Sequence, residues 1–529
     1  MLTNLSVPMK QLVTVFSILC CCVAQAQSPN GYQLAFAPPG GPGDFVYRDG
    51  AVDTDGVVVL IMGSPDKTAS QFLLTLVDSS GAIHWTRLWS STGAGEWMEP
   101  SKTTFASNGD ILCFGQHFSP SGSRYFQVRI GRSGELVHAN TYDADADENG
   151  GDYGFSDLQA LPDGGSIMLF GMHDKSVAAR TNAEGALVWA RSYVTDDGPT
   201  SKNPGFSVDV RMDGSIVLAE KAEEDIFLVC ANDAGDPIWS KRYPNALYNH
   251  AKVVFDLSDG GMFVAGSADA SPFAMRTDAY GNVVWFKRYD LDEVWVEGFE
   301  RGVELENGEV LLTPTENAIG VVGVRVSPLG EPLEAILWND VTGYSDLLGM
   351  HAGQAITSGT CFSLEEGGAS TITLLRLDTD MAAPCGSGTS GFTATDLTAQ
   401  ISSLSGCTVA EEPVGTTAFT LTATSMISTT AELCAMITEV VDHTDAPILR
   451  AHPTLLQPGE PVHVNWGADR SMIRVEHVGM DGRSEPLRLD GRRTDGFDVT
   501  TTNWSSGMHT LRCWLTGQER SIDLRLVVR

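Results

Sequence analysis

An acidic segment of the chain has the residue types and the spacing of a calcium-binding loop. In "DADADENGGDYG", Asp143, Asp145 and Asp147 stand at alternate positions, a spacing that lets a loop wrap carboxylate oxygens around Ca²⁺. The sixth position is Glu148 and the twelfth is Gly154, so the segment is not an EF-hand loop. The sequence predicts a looser calcium loop between two repeat units, and the alternative is a solvated acidic turn.

The cysteines and histidines offer little other chemistry. The chain has ten cysteines without a CxxC or CxxH pair, which gives a zinc site little support. Cys385 and Cys407 bracket a stretch rich in Gly, Ser and Thr. They are the predicted disulfide, since an exported chain meets an oxidising compartment. The histidines show no Ser-His-Asp order or metal-ligand spacing, so no catalytic residue is predicted.

A strand pair recurs through most of the chain and must position any site. Its glycine recurs about every 50 residues, at Gly81, Gly134, Gly185, Gly235, Gly281 and Gly330. Four positions later stand Trp85, Trp189, Trp239 and Trp285, with His138 and Glu334 in the second and sixth units. Eight positions later stand Tyr142, Tyr193, Tyr243 and Tyr289, with Trp89 and Trp338 at the two ends. Strand, polar turn with Gly and strand is the pattern of a β-hairpin.

Each unit also opens with an Asp-Gly or Asn-Gly turn followed by an apolar run, as in "PDGGSIMLFG". Units of about 50 residues with four short strands and no helical periodicity are typical of β-propeller blades. The sequence therefore predicts an all-β fold in which residues 27–380 form a propeller of about seven four-stranded blades. Six units are clear, the seventh is degraded within residues 351–380, and residues 32–45 are the expected closing strand. Six and eight blades are the alternatives.

The recurrent aromatic residues are expected to fill the gaps between blades, with His138 packing there too. The repeats resemble the tryptophan-bearing propeller repeats of quinoprotein-like proteins and of large exported bacterial surface proteins. A quinoprotein dehydrogenase would also imply a vicinal disulfide and a calcium-bound quinone. The only adjacent cysteines, Cys20 to Cys22, lie near the amino terminus, so that activity is not expected.

Both ends of the chain differ from the repeats. Lys10, a short apolar run and "QAQ" predict a secretory signal peptide over residues 1–26, too short to span a membrane. Residues 381–446 are rich in Thr and Ser and contain no Lys or Arg. They are expected to form a small β-module, the alternative being a disordered stalk or linker.

Residues 447–529 contain short β-runs separated by turns, an Arg-enriched charge pattern and a terminal strand. The segments "HPTLLQPGEPVHV", "GMDGR", "SSGMHTLRC" and "LRLVVR" resemble, in order, the carboxy-terminal sorting domain of type IX secretion substrates of the Bacteroidota. The resemblance implies an immunoglobulin-like β-sandwich that engages the type IX machinery and brings the chain through the periplasm to the cell surface or medium. An adhesive module of the same fold is the alternative.

Net charge limits the range of partners. The chain has 34 Lys and Arg against 67 Asp and Glu, a formal net charge of -33, which makes nucleic-acid binding unexpected. The leading function is a secreted or cell-surface propeller that binds or adheres to a glycan or protein without catalysis. Trp97, Trp295 and Tyr344 could serve that surface or pack at blade edges. The alternative is an exported hydrolase or lyase acting on polysaccharide or peptide, with acids converging on the central channel.

Overall fold

The structure is a computed structural model and contains two compact units, which divide between Cys434 and Ala435. It describes residues 32–37, 45–64, 71–93, 95–120, 122–143, 157–172, 175–195, 207–222, 225–244, 249–269, 271–291, 296–314, 321–338, 345–361, 371–377, 387–390, 392–400, 404–412, 414–426, 429–432, 450–452, 455–456, 461–465, 472–478, 484–486, 496–500, 507–515 and 522–528.

The first unit is a seven-bladed β-propeller, which confirms the predicted fold class and blade number. It begins with β1 (Tyr32–Ala37). Blade 1 follows with β2 (Val46–Val52), β3 (Val58–Gly63), β4 (Gln71–Val77) and β5 (Ile83–Ser91). Blade 2 has β6 (Trp97–Phe105), β7 (Ile111–Ser119), β8 (Gly122–Ile130) and β9 (Leu136–Asp143). Blade 3 has β10 (Asp157–Ala160), β11 (Ser166–Met172), β12 (Lys175–Thr181) and β13 (Leu187–Thr195).

The remaining blades repeat this order. Blade 4 has β14 (Ser207–Val210), β15 (Ile216–Ala222), β16 (Asp225–Ala231) and β17 (Pro237–Tyr243). Blade 5 has β18 (Asn249–Asp256), β19 (Met262–Ala268), β20 (Ser271–Thr277) and β21 (Val283–Leu291). Blade 6 has β22 (Phe299–Glu304), β23 (Val310–Pro314), β24 (Val321–Val326) and β25 (Pro332–Trp338). Blade 7 has β26 (Ser345–His351), β27 (Gln354–Cys361) and β28 (Thr371–Arg376), and β1 is its fourth strand.

The core lies between the blades, because each sheet buries both of its faces. In β15, Ile216 and Leu218 pack toward blade 3, whereas Val217 and Ala219 pack toward blade 5. This is why the inner strands read as unbroken apolar runs rather than alternating ones. The first strand of each blade contacts the first strand of the next, and β26 contacts β2, so the inner strands form a closed ring.

The glycine and aromatic columns meet at every gap between blades 2 and 6. Tyr142, Tyr193, Tyr243 and Tyr289 are buried and donate hydrogen bonds of 2.7 to 3.0 Å to the column-glycine carbonyl of the following blade. Trp85, Trp189 and Trp285 donate from Nε1, at 2.9 to 3.0 Å, to the carbonyl two residues before that glycine. We call this set of contacts the latch. It holds the fourth strand of blades 1 to 5 to a turn of the next blade.

The latch requires glycine at the turn. Gly281 has a φ of 73°, and a Cβ there would lie 2.8 Å from Cζ3 of Trp239 and 3.0 Å from the Tyr243 hydroxyl. The neighbouring blade therefore occupies the space that a side chain would need, and the positive φ disfavours other residues independently.

Substitution at this turn tests the latch against a matched control. Gly281→Ala is expected to lower the free energy of unfolding by about 1–2 kcal/mol for the left-handed backbone and by about 1–3 kcal/mol more for the clash. Gly214→Ala is expected to lose only the backbone contribution, because Gly214 has a φ of 83° but no atom lies within 4 Å of a Cβ added there. Equal losses for the two variants in urea denaturation would contradict the latch.

The Thr/Ser-rich stretch does not form the expected separate module. Its described residues are strands that pair antiparallel with the outermost strand of all seven blades, in the reverse order of the chain. They are β29 (Ser387–Ser390), β30 (Phe392–Asp396), β31 (Leu404–Ser405), β32 (Cys407–Glu411), β33 (Gly415–Ala418), β34 (Leu421–Met426) and β35 (Thr429–Glu432), with a short 3₁₀ turn at Thr398–Gln400. We call these strands the belt.

The composition of the belt explains this difference. Threonine favours extended backbone, but β33 is exposed along its whole length and β34 buries only Leu421, so the belt has too few apolar side chains for a core of its own. The outer strands of the blades offer unpaired backbone groups instead. Leu397, Glu412 and Phe419 donate backbone hydrogen bonds of 2.9 to 3.1 Å to blades 5, 3 and 2, at the residue five positions after the column glycine.

The second unit has two described sheets. One contains β36 (Arg450–His452), β38 (Pro461–Asn465) and β41 (Gly496–Thr500). The other contains β37 (Leu455–Leu456), β39 (Met472–Val478), β40 (Ser484–Pro486), β42 (Gly507–Leu515) and β43 (Ile522–Val528). Val499, Leu511 and Cys513 are buried.

Amide hydrogen exchange tests the belt. In β21, alternate amides face β20 and β30, because both pairings are antiparallel. We expect both sets to exchange slowly, since each has a backbone acceptor. In β34 only the amides that face β5 are expected to be slow. Rapid exchange of every second amide in β21, as at an open edge, would show that the belt is not bound.

Candidate functional site

Charged side chains of four blades meet at the inner ring. Asp49 on β2 is 1% exposed, and its Oδ2 accepts a hydrogen bond of 2.6 Å from the Thr103 amide of blade 2. Its Oδ1 pairs with the Arg301 guanidinium of blade 6 and lies 3.9 Å from Nζ of Lys102. Arg301 Nε also lies 3.0 Å from Oδ1 of Asp346 in blade 7. We call this group the axial cluster.

The axial cluster satisfies its own polar groups. Tyr47 donates to the second oxygen of Asp346 at 3.2 Å, so all four carboxylate oxygens have a partner. Burial raises the pKa of Asp49 to about 6, and the nearby charges of Arg301 and Lys102 oppose that shift. Perturbed carboxyls are common in catalytic sites, but ion-pair networks produce them too. The cluster carries two negative and two positive charges, and it ties blades 1, 2, 6 and 7 together.

Two further inner carboxylates make the same kind of link. Asp157 of blade 3 accepts a hydrogen bond of 2.9 Å from the Val208 amide of blade 4. Asp209 of blade 4 accepts one of 2.8 Å from the Asp256 amide of blade 5. Burial raises the pKa of Asp209 to about 6, against the lowering effect of that amide. Acidic groups thus converge on the axis as the hydrolase hypothesis requires, but each is bound to a neighbouring blade.

One buried carboxylate in blade 4 has no such link. Glu220 on β15 is 0% exposed, and neither of its oxygens has a hydrogen-bond partner among the described residues. Burial raises its pKa from 4.5 to about 8, so the folded chain holds it as the neutral acid at neutral pH.

Glu220 should make stability depend on pH. Between pH 4.5 and pH 8 the folded state keeps a proton that the unfolded state has released. The folding equilibrium constant therefore falls as the pH rises, by up to about tenfold per unit. Glu220→Gln removes this loss, so the variant should equal the parent protein near pH 4 and be more stable at pH 8 in urea denaturation. Glu184→Gln, at an exposed carboxylate, is the control. Parallel pH profiles for the parent and Glu220→Gln would contradict the assignment.

The opposite ends of the strands form a second candidate site. In an antiparallel blade the turn between strands 1 and 2 and the turn between strands 3 and 4 lie at the same end, which we call the turn face. The third residue after each column glycine lies there and is the extra residue of a β-bulge. Bulges re-aim side chains. These bulge residues are His84, Val137, Val188, Ile238, Val284 and Leu333.

The bulge residues point into solvent. The five aliphatic ones are each 48 to 58% exposed, although β-branched and leucine side chains are usually buried. Exposed Met212, Tyr280 and Leu329 stand in turns of the same face. The bulge also sets the following residue, the column tryptophan, toward the next blade.

The structure contains an arginine column that the sequence analysis did not predict. Arg129, Arg276 and Arg376 donate, at 2.7 to 2.9 Å, to turn carbonyls of the next blade, and Arg376 reaches Ser79 of blade 1. Arg180 pairs with Asp233 of the next blade at 2.8 Å. Arg129, Arg180, Arg276 and Arg325 each stand five positions before the column glycine of their own blade. The repeat alignment could have revealed this column.

The structure describes only some of the residues predicted to bind calcium or to form a disulfide. Asp143 ends β9, but Asp145 and Asp147 lie outside the described residues, so the calcium loop stays a prediction. Cys407 lies on β32, whereas Cys385 lies outside the described residues, and their disulfide also stays a prediction. In the described part of the chain no group of three His, Cys, Asp or Glu side chains is arranged around a metal position.

His138 and Trp97 pack against neighbours. His138 lies against Gly185 of the next blade, since a Cβ added there would be 2.5 Å from Nε2 of the imidazole. Burial lowers the pKa of His138 to about 4, and the nearby charge of Arg129 lowers it further in the same direction. Trp97 stacks on Phe118 with ring centroids 3.5 Å apart. Trp295, Tyr344 and the predicted signal peptide, residues 1–26, lie outside the described residues. Within the described residues there is no helix with the length and apolar character to cross a membrane.

The fold and inner ring define a seven-bladed propeller with a fifth strand on each blade. No protein-family model and no curated protein matches the sequence. The chain is similar to a solved protein of unknown function from Bacteroides caccae, at 13% identity over 48% of this chain and 93% of that one, with a TM-score of 0.31. A fungal alcohol oxidase in complex with copper matches at 10% identity over 93% of this chain and 98% of that one, with a TM-score of 0.39. Polysaccharide lyase Uly1 matches at 9% identity over 64% of this chain and 90% of that one, with a TM-score of 0.28. Likenesses this distant carry no functional argument.

Proposed function

We propose that this chain is an exported, non-enzymatic binding propeller whose ligand, a glycan or protein, contacts the turn face. The observation that carries the proposal is the set of half-exposed aliphatic bulge residues, repeated in blades 2 to 6. An apolar side chain that recurs in solvent contributes nothing to the core, and exposed apolar surface is typical of interaction sites. The signal segment 1–26 and the type IX-like domain 447–529 belong to the proposal as the export route to the cell surface or medium.

The alternative is a polysaccharide- or peptide-degrading hydrolase or lyase acting at the axis. The raised pKa values of Asp49 and Asp209 favour it. The hydrogen bonds and ion pairs that occupy both carboxylates oppose it, because a general acid or base must be free to reach its substrate.

Binding to glycan and protein arrays, with product analysis of every hit, tests both functions on the chain from Gln27 onward. Ile238→Asp on the turn face is expected to weaken binding at least tenfold, because it places a charge in an apolar contact. Val409→Asp is the matched control, since Val409 is an exposed aliphatic residue of the belt, and it should bind like the parent protein. Asp49→Asn should also bind normally.

Two results would contradict the proposal of a binding propeller that uses its turn face. One is retention of every array signal in Ile238→Asp. The other is cleavage of a polysaccharide or peptide hit that is lost in Asp49→Asn, which would favour the hydrolase or lyase.

A further inference from the structure

Five ion pairs on the turn face have the carboxylate outward and the base inward. In these pairs the carboxylate is 50 to 67% exposed, whereas its basic partner is only 6 to 18% exposed. The carboxylates are Asp163, Asp233, Asp236, Asp259 and Glu331, and the bases are Arg180, Arg191, Arg276 and Lys287. Solvent therefore meets the negative end of each pair.

The burial of the bases has a structural cause. Arg191 lies over the Trp189 ring at 5.8 Å and Lys287 over the Trp285 ring at 5.9 Å, so the latch tryptophans hold these cations down by cation–π attraction. Arg276 also donates to the Pro328 carbonyl at 2.9 Å. One pair is arranged the other way, since the Arg132 side chain is 38% exposed and its partner Asp53 only 9%. The 76% exposed Asp55 lies 3.7 Å from the same guanidinium. The face consequently has a negative potential in addition to the net charge of the chain.

In blades 4 and 6 a carboxylate of the turn face stands close to the apolar bulge residue. Ile238 follows Asp236 by two positions, and Leu333 follows Glu331 by two. A ligand that used both would need positive groups and apolar groups at similar spacing. A phosphate- or sulfate-bearing polymer would be repelled.

We propose that the turn face binds a cationic protein segment in which Lys or Arg side chains alternate with aliphatic or aromatic ones. This inference rests on the proposed binding function and specifies its partner. The carboxylates would accept the basic groups in charge-assisted hydrogen bonds, while the bulge residues would bury the apolar ones.

Binding of three 14-residue fluorescent peptides by anisotropy tests the inference on the chain from Gln27 onward. The peptides alternate Lys with Leu, Lys with Ser, or Glu with Leu. We expect the Lys-Leu peptide to bind best and the Glu-Leu peptide not to bind. The affinity for the Lys-Leu peptide should fall at least tenfold between 50 and 300 mM NaCl, because surface charge pairs are screened.

Matched charge variants locate the site. Asp233→Asn with Asp259→Asn removes two outward charges and leaves Arg180 its Asp163 partner and Arg276 its Pro328 carbonyl, so the fold should persist. This variant should bind the Lys-Leu peptide several-fold more weakly. Asp290→Asn with Glu297→Gln changes the charge equally at exposed positions away from the turn face and should bind normally. Ile238→Ser should weaken Lys-Leu binding and leave its salt dependence unchanged.

The outcomes separate this inference from the proposed function. Equal weakening by both charge variants would show attraction to net charge alone and overturn the inference. If an array ligand is lost in Ile238→Asp but binds independently of salt and of the Asp233 and Asp259 changes, the binding function stands and the cationic partner is wrong. Stronger competition by an amine-bearing polysaccharide than by the Lys-Leu peptide would also overturn the proposed partner class.

Discussion

The close approach of one blade's aromatic rings to the next blade's glycine turn is the contact on which the propeller depends. Each blade buries both faces against its neighbours and has no core of its own, so its stability comes from those gaps. Tyr243 and Tyr289 close their gaps with buried hydroxyls bonded to glycine carbonyls. Two column tryptophans, Trp189 and Trp285, then hold Arg191 and Lys287 against their rings. The acidic turn face is thus a by-product of the same contact.

The ring has one seam, where blade 7 takes its fourth strand from the amino-terminal end. Blade 7 therefore has no turn between strands 3 and 4. Glu334 of blade 6 occupies the tryptophan column, and a tryptophan there would have no such turn to contact. Glu334 pairs with Arg325 at 3.3 Å instead. On the far side of the seam, Leu34 and Tyr32 of β1 cover Gly81 of blade 1. The axial cluster fastens the inner side of the same seam, since Arg301 reaches from blade 6 past blade 7 to Asp49 of blade 1.

Sequence patterns predicted the parts of this fold that repeat locally. Glycine turns, apolar runs and the aromatic columns recur about every 50 residues and made six blades clear. The degraded seventh unit and the closing strand completed the predicted seven. The axial cluster could not be predicted, since Tyr47 and Asp346 are 299 residues apart and no local spacing relates them. The belt was missed because its exposed strands lack the apolar alternation that marks a buried face. The exposed bulge residues looked like ordinary strand residues, since a bulge leaves no mark in composition.

The pairing of β1 has a consequence for the order in which the propeller can be completed. β1 lies between β28 and β35, with Leu34 opposite both Leu374 and Glu432. It is the earliest of the described strands to be synthesised, and its two neighbours are among the latest of the propeller. A nascent chain must keep β1 uncommitted until nearly the whole unit has left the ribosome. Contacts this distant in sequence are slow to form, so we expect the circle to close late in folding.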